Sequence, residues 1–513
     1  MGSGVPGSRW RIVIKSPSCS GAITKPVNCH KSTRINTPLS VTETPLLMLQ
    51  HAEIFTGTGS TRLADIEIRR GRITALSEAP GTLTAESGGE IIDARGGLLL
   101  PGLNDHHVHL ASYAASLTSV ASGPPDVNNE AELSAALDQP GDGWLRGTGF
   151  HESVMPDLNR AWLDKHGPDR PVRIQHRSGR LWVLNSLAMT EVAAAAENLP
   201  IHERQRLQSH DGCLYDVDEL LGSLLRRSAP PMAEASRRLA NFGITGINDM
   251  TPSNDLETWQ WFEEMIAAGD LLQRVRMSGR PGLSGLTATH RLTTGETKIH
   301  LHDSALPDFA EFVETIRHSH GAERAIAVHC VTEVELVFTL SALRVAGAAP
   351  GDRIEHASVV PPALIEQLLE LGVSVVTQPN FIAERGDTYI RDIPAAEHPY
   401  LYRVQSLTEH GVPVAFGTDL PFGDADPWRA IAAAVNRKTR QGEVLGENEK
   451  VSAETALAAF LGSLDAPFES RQLLPGTEAD LCLMTLPWHE LRQDPDSRHV
   501  RLTMIAGEIC YQA

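Results

Sequence analysis

Residues 97–109 read Gly97-Leu98-Leu99-Leu100-Pro101-Gly102-Leu103-Asn104-Asp105-His106-His107-Val108-His109. An apolar run, a Pro-Gly break, then an Asp and two His at every second position predict a buried strand that ends in a metal site. Strand side chains alternate between faces, so His107 and His109 point one way and Val108 the other. Two imidazoles on one face, with Asp105 behind them as a carboxylate acceptor, make half of a zinc-type site. Alone the pair is weak. With 21 His in 513 residues, about one His-x-His pair is expected by chance, and two more occur at His300/His302 and His318/His320. The rest of the chain decides what the first pair means.

On the N-terminal side, 46–100 carries short alternating segments at 52–55, 65–68 and 71–76, punctuated by Gly71 and Gly88-Gly89, which predict strands and turns. The far end, 470–513, reads the same way at 479–484, 500–505 and 507–511. Two β-rich ends around one body predict a small β-sandwich assembled from both. Residues 1–45 differ: six Lys/Arg and no acid precede Glu43, with many Ser, Thr, Gly and Pro. They are expected to be a disordered basic tail, either an upstream extension or a targeting segment, and lack the apolar core of a secretory signal.

On the C-terminal side, 101–469 alternates strands with helices, the sign of a parallel sheet with crossover helices. After the strand ending at His109, strands are predicted at 243–248, 274–277, 298–302, 325–329, 353–356, 373–377 and 412–417. Helices are predicted at 308–319, 332–345, 362–371 and 428–440, the last also readable as starting at Asp426-Pro427. Eight strands are the count of a TIM (β/α)8 barrel, so the fold class is α/β. The first crossover is far too long, so about 111–230 is expected to be an insertion, with a strand at 171–176, lying over the barrel mouth.

Barrel strands converge their chemistry at their C-terminal ends. Here the first ends in His107 and His109, the fourth carries Lys298, the fifth ends in His329, the sixth in His356, and the eighth in Asp419. Ionisable side chains closing apolar strands have no solvation to explain them, and together they predict a metal site. For Lys298 the bland alternative is an ion pair on the barrel floor. Gln378 and Asn380, after the seventh strand, either orient substrate or brace a loop. His151, His176 and Arg177 in the insertion would close the mouth, while Glu384 and Arg385 read as solvated loop charges.

A net charge of −19 argues against nucleic acid or an anionic membrane surface as partner, and no apolar run approaches the roughly 18 residues of a membrane span. Six scattered Cys without a Cys-x-x-Cys predict free thiols in a reducing compartment, hence a cytoplasmic protein. The expected partner is a small-molecule substrate. Association into a homo-oligomer stays open.

Pro101-Gly-x-x-Asp105-x-His107-x-His109, single His on two later strands and Gly417-Thr418-Asp419 together resemble the amidohydrolase superfamily. Pro475-Gly476-Thr477-Glu478-Ala479-Asp480-Leu481 resembles that superfamily's return into its sandwich. Lys298-Ile299-His300 is similar to the strand of urease, hydantoinase and dihydroorotase that carries a carboxylated lysine. The long insertion, with Asn185-Ser186-Leu187-Ala188 and His329-Cys330, resembles the N-substituted formamide deformylase-like branch, from which Gly179-Arg180-Leu181-Trp182 departs. The resemblance implies a divalent metal, zinc by expectation: two ions if Lys298 is carboxylated, otherwise one. His107 and His109 would hold one with Asp419, His329 and His356 the other, and Lys298 would join them.

Asp419 would then act as general base and acid, and His300 would stabilise an oxyanion. His302, Gln378 and Asn380 would contact substrate. The implied reaction is hydrolysis of a non-peptide carbon–nitrogen bond in an amide, formamide or cyclic amide. A deaminase on the same fold is the alternative; it would need a Glu three residues after His329, where Thr332 stands and Glu333 is one place off. A non-catalytic barrel fits least, because no ligand position is lost.

Overall fold

The computed structural model describes residues 46–56, 59–83, 89–225 and 230–513; the expected tail at 1–45 lies outside the described residues. The opening stretch forms two strands rather than one. Leu98–Pro101 pairs antiparallel with Leu481–Met484 and parallel with Glu53 and Ile54 of Leu47–Phe55. Leu103–Val108 pairs with Ile244–Asp249 in a different sheet. The change of partner takes one peptide: the Gly102 amide donates to Asp480 O (2.8 Å) and the Leu103 amide to Gly243 O (2.9 Å). A Cβ on Gly102 would lie 2.1 Å from Thr245 Cγ2, so only glycine fits this seam.

Both chain ends build one eight-stranded sheet that branches at Leu47–Phe55. Its first half pairs with Glu90–Asp93, its second with Leu98–Pro101, and its other edge with Thr61–Arg69. A bulge between Leu49 and Ala52 makes the branch, with His51 at φ 55°. Leu49, Ile54, Ile66, Ile73, Leu99, Leu481 and Leu502 fill a core of its own.

The second eight-stranded sheet is the expected parallel barrel: Leu103–Val108, Ile244–Asp249, Arg274–Gly279, Leu292–His300, Ile326–Cys330, Arg353–His356, Ser374–Thr377 and Val414–Phe416, in that order. A parallel bridge between Val108 and Leu420 closes it, with the Asp419 amide donating to His107 O (2.8 Å) and the His109 amide to Leu420 O (2.9 Å). The fourth strand begins six residues before the expected 298. Its early residues, Thr293, Thr294, Gly295, Glu296 and Thr297, are not apolar, so alternation of hydrophobics does not show them. They pair because the inside of the barrel here is charged: Glu296 is buried beside Arg276 (3.3 Å).

Phe309–Gly321 buries Phe312, Val313 and Ile316, each worth about 1.5–3 kcal/mol when taken from water. Asp308 caps it by accepting from the Ala310 and Glu311 amides. Glu333–Ala346 starts in a Thr332/Glu335 capping box, which Thr332→Ala would weaken by about 1 kcal/mol. The helix expected at 428–440 is Pro427–Asn436, because Arg437 turns left-handed (φ 54°) and donates its buried guanidinium to Leu401 O, Tyr402 O and Leu445 O. Helices also occupy Met232–Asn241, Leu256–Ala268 and Asn380–Asp392.

The insertion holds its own five-stranded sheet. Val172–His176, the expected strand, lies at its centre between Leu145–Phe150 and Leu181–Leu184, with Val120–Ala121 and Cys213–Tyr215 at the edges. Among the described residues no helix is long and apolar enough to cross a membrane.

Candidate metal centre

His107 and His109 leave the first barrel strand beside Asp419, which follows the eighth. Asp419 Oδ1 lies 3.2 Å from His109 Nε2 and 3.6 Å from His107 Nε2, and the three donor atoms fall within 4.8 Å of one another. The closing hydrogen bonds of the barrel set this proximity, and Gly417 permits it, since a Cβ there would lie 2.4 Å from His107 Cβ. Asp419 (φ 58°), His356 (φ 70°) and Ala357 (φ 46°) adopt left-handed backbone that non-glycine residues rarely hold. Strain of this kind collects at functional sites.

The carboxylate behind His107 is Glu355, not Asp105. Glu355 Oε2 lies 2.5 Å from His107 Nδ1, and its other oxygen accepts from Arg353 Nε at 2.5 Å. All three side chains are buried, and Arg353 also donates to His106 O. Asp105 instead accepts from the Thr418 amide and hydroxyl and the His107 amide, binding the first strand to the eighth, and burial raises its carboxyl to about 7. His109 Nδ1 pairs with Thr251 Oγ1 (3.1 Å), whose amide is held by Asp249.

These bonds assign the tautomer of His107. A carboxylate already saturated by arginine can only accept, so Nδ1 carries the proton. Burial, then the charge of Lys298, hold the imidazole well below its ordinary pKa, so the ring is neutral and Nε2 keeps a lone pair. Burial opposes ionisation of Asp419, but the His109 imidazole, 3.2 Å from its Oδ1, outweighs it and holds the carboxyl below its usual range. A lone pair therefore faces an anionic oxygen, and both His107 Nε2 and Asp419 Oδ1 lack any hydrogen-bond partner. A divalent cation turns that repulsion into two bonds, so the residues fit a metal.

The remaining expected ligands stand against this trio. The His356 ring packs 4.7 Å from His107 and 4.5 Å from His329. Lys298 is buried, its Nζ has no hydrogen-bond partner, and its charge acts on His107, His329 and His356. Burial lowers the amine to about 8 against the opposing charges of Glu355 and Asp419. His300 packs 4.1 Å from His329 and 4.5 Å from His302. It presents surface to solvent yet is crowded by the mouth, which pushes its imidazole down to about 3.

Gln378 turns its Oε1 to His356 Nδ1 (2.8 Å), and Asn380 donates to Glu384 Oε1 and Thr418 O. Both residues brace the site, leaving Gln378 Nε2 and Asn380 Oδ1 unpartnered. Glu384 and Arg385 are not solvated loop charges. They lie in the helix Asn380–Asp392, Glu384 accepting from Asn380 and the Asp424 amide, Arg385 donating to Phe422 O and stacking 4.0 Å over Phe381. His151 and His176 stack in the insertion with Glu152 against both.

Sequence reading missed Glu355, Arg353 and Thr251. Arg353-Ile354-Glu355 was a detectable signal: opposite charges two apart on an otherwise apolar strand share its interior face.

The family model described as "Amidohydrolase family" matches residues 90–511. Protein LONG AFTER FAR-RED 3 of Arabidopsis thaliana is 24% identical over 543 residues, covering 91% of each chain. N-substituted formamide deformylase of Arthrobacter pascens is 23% identical over 477 residues, 81% of this chain and 88% of its own. A metal-dependent hydrolase of Pyrococcus horikoshii OT3, known by its crystal structure, superposes at a TM-score of 0.71 with 20% identity, over 89% of this chain and all of its own. The family match spans the barrel, the insertion and about half of the terminal sheet that the geometry describes, and it shows that the chain belongs to the amidohydrolase family and is a hydrolase.

Proposed function

We propose that the chain hydrolyses a non-peptide carbon–nitrogen bond, in an amide, formamide or cyclic amide. The observation that carries this reading is the unpartnered Nε2 of His107 opposite the unpartnered Oδ1 of Asp419. His107, His109 and Asp419 would hold one ion, and His329 and His356 a second, with Lys298 between them. Two nitrogens and one carboxylate oxygen suit zinc. When bound, the metal supplies an acidified water and a Lewis acid for the carbonyl oxygen.

Lys298 is suited to carboxylation. Its amine is buried without a partner and lowered to about 8, so an appreciable share is neutral near pH 7 and able to attack CO2. Asp419 would accept the proton of the attacking water and deliver it to the leaving nitrogen. His300, neutral because its crowded position keeps it so, donates an N–H toward the developing oxyanion. His302 and Asn380 would contact the substrate, and Gln378 keeps its amide nitrogen for the same purpose while its oxygen orients His356.

The deaminase reading fares worse. Thr332 caps the following helix, Glu333 faces solvent, and Glu335 is spent on the Val331, Thr332 and Asp303 amides. Among the described residues, neither Glu333 nor Glu335 offers a free carboxylate for ring protonation. The free thiols of the four described cysteines support a reducing compartment such as the cytoplasm.

Metal content and hydrolysis of a panel of N-formyl, N-acyl and cyclic amides test the proposal. The wild type is expected to carry divalent metal and cleave panel members, and Asp419→Asn to lose about 10²- to 10⁴-fold in kcat. Full activity in Asp419→Asn refutes the assignment of the base.

A further inference from the structure

The insertion reaches the metal centre through one turn. The Gly179 amide donates to His176 O (2.9 Å) and the Arg177 amide to Phe150 O (2.8 Å), which fixes residues 176–179. Gly179 is left-handed (φ 76°), and a Cβ built on it would touch Phe422 Cε1 at 3.3 Å. The Phe422 ring stands edge-on to His109 at 5.4 Å, and its carbonyl accepts from Arg385. A single side chain, Phe422, therefore separates the turn from a proposed metal ligand.

Arg177 occupies that turn half-buried, and among the described residues its guanidinium has no hydrogen bond or ion pair. Burial, then the positive charge of Arg385 and, more weakly, of Arg391, press its pKa down; Glu152 and Tyr389 oppose them. The acids within its reach are engaged elsewhere. Glu152 is held by His176 at 2.9 Å and Asp392 by Arg391 at 2.7 Å. A half-buried guanidinium without an ion pair of its own is unfavourable until an anion joins it.

We infer that Arg177 is an anion-recognition residue, with Arg385 adding to its field, and that the substrate carries an anionic group, a carboxylate or a phosphate, on the part that points out of the barrel. The planar guanidinium fork matches either group through two parallel N–H···O bonds, which lysine cannot reproduce. The inference rests on the proposed carbon–nitrogen hydrolysis for the position of the scissile bond, but the binding of the anion does not depend on it.

The experiment compares wild type, Arg177→Gln and Arg177→Lys on matched N-acyl compounds that end in a carboxylate, a phosphate monoester or a neutral methyl ester. Hydrolysis and calorimetric binding are both read. The expected result is that KM and Kd for one anionic series rise about ten- to a hundredfold in Arg177→Gln, the value of a charge-assisted hydrogen bond. Arg177→Lys should recover part of the loss, kcat should hold, and the neutral ester should not respond. Whichever anion responds names the group.

Hydrolysis of neutral and anionic compounds alike, unchanged in Arg177→Gln, overturns the inference and leaves the hydrolase reading standing. Anion binding that Arg177→Gln weakens, with no hydrolysis of any compound, upholds the inference and sinks the carbon–nitrogen reading. Equal loss toward the neutral ester shows a merely structural arginine and also overturns it.

Discussion

The two halves of the metal centre are built differently. His107, His109 and Asp419 come from the first and last barrel strands, which the closing hydrogen bonds press together, and their donors converge within 4.8 Å. Each imidazole of that half is held from behind, by Glu355 or by Thr251. Lys298, His329 and His356 come from the fourth, fifth and sixth strands, and the rings of His329 and His356 meet edge-on at 4.5 Å. Of these, His356 is braced by Gln378, whereas the Lys298 amine has no hydrogen-bond partner at all. The first half has the convergence of a chelate. On the proposed two-ion reading, the second half lacks an anion, which carboxylation of Lys298 would add.

If that difference is real, Lys298→Ala should act on the second half alone. Metal content should fall from two ions per chain to one, and kcat/KM by about a thousandfold, the several kcal/mol expected of a lost bridging charge. Two ions retained in Lys298→Ala, by elemental analysis, would show that the second half needs no anion.

Glu355→Gln probes the first half. It keeps a partner for His107 Nδ1 but removes the charge that fixes the tautomer, so metal affinity, read by competition with a chelator, should fall about 10- to 100-fold. A chelator curve matching wild type would put the ordering of His107 elsewhere.

The smallest effect lies beneath both halves. Burial raises Glu296, but Arg353 and Arg276 outweigh it and take the carboxyl down to about 2. A carboxyl depressed in the folded state stabilises above its unfolded value, near 4.5, and that contribution is lost as pH falls toward 2. The stability gap between wild type and Glu296→Gln, from denaturant unfolding, should therefore shrink as pH falls from 5 to 2, from about 1–3 kcal/mol toward zero. A gap that stays constant would mean that the pair stabilises nothing.

Much of the proposed centre was readable along the chain, because its candidate ligands interrupt apolar strands. His107, His109, His329, His356 and Asp419 each end a strand that periodicity reveals, and strand ends on one rim of a barrel must meet. The fourth strand was seen only in its last third, since Thr293 to Thr297 carry no hydrophobic alternation and Glu296 among them faces a charged interior. Gln378 and Asn380 show the opposite limit. Residue type and position named them, but whether an amide faces substrate or a neighbouring side chain depends on partners 22 and 38 residues away.

By itself, then, the sequence determined the α/β alternation, the eight strands and the family of ionisable groups at their ends, because these follow from local periodicity and from the cost of burying charge. Tertiary structure alone decided that Glu355 and not Asp105 orders His107, that Gly102 passes the chain from one sheet to the next, and that the Gly179 turn of the insertion reaches Phe422 beside His109. Each of those depends on a partner brought close only by folding, and a pairwise contact between remote residues leaves no periodic trace along a single chain.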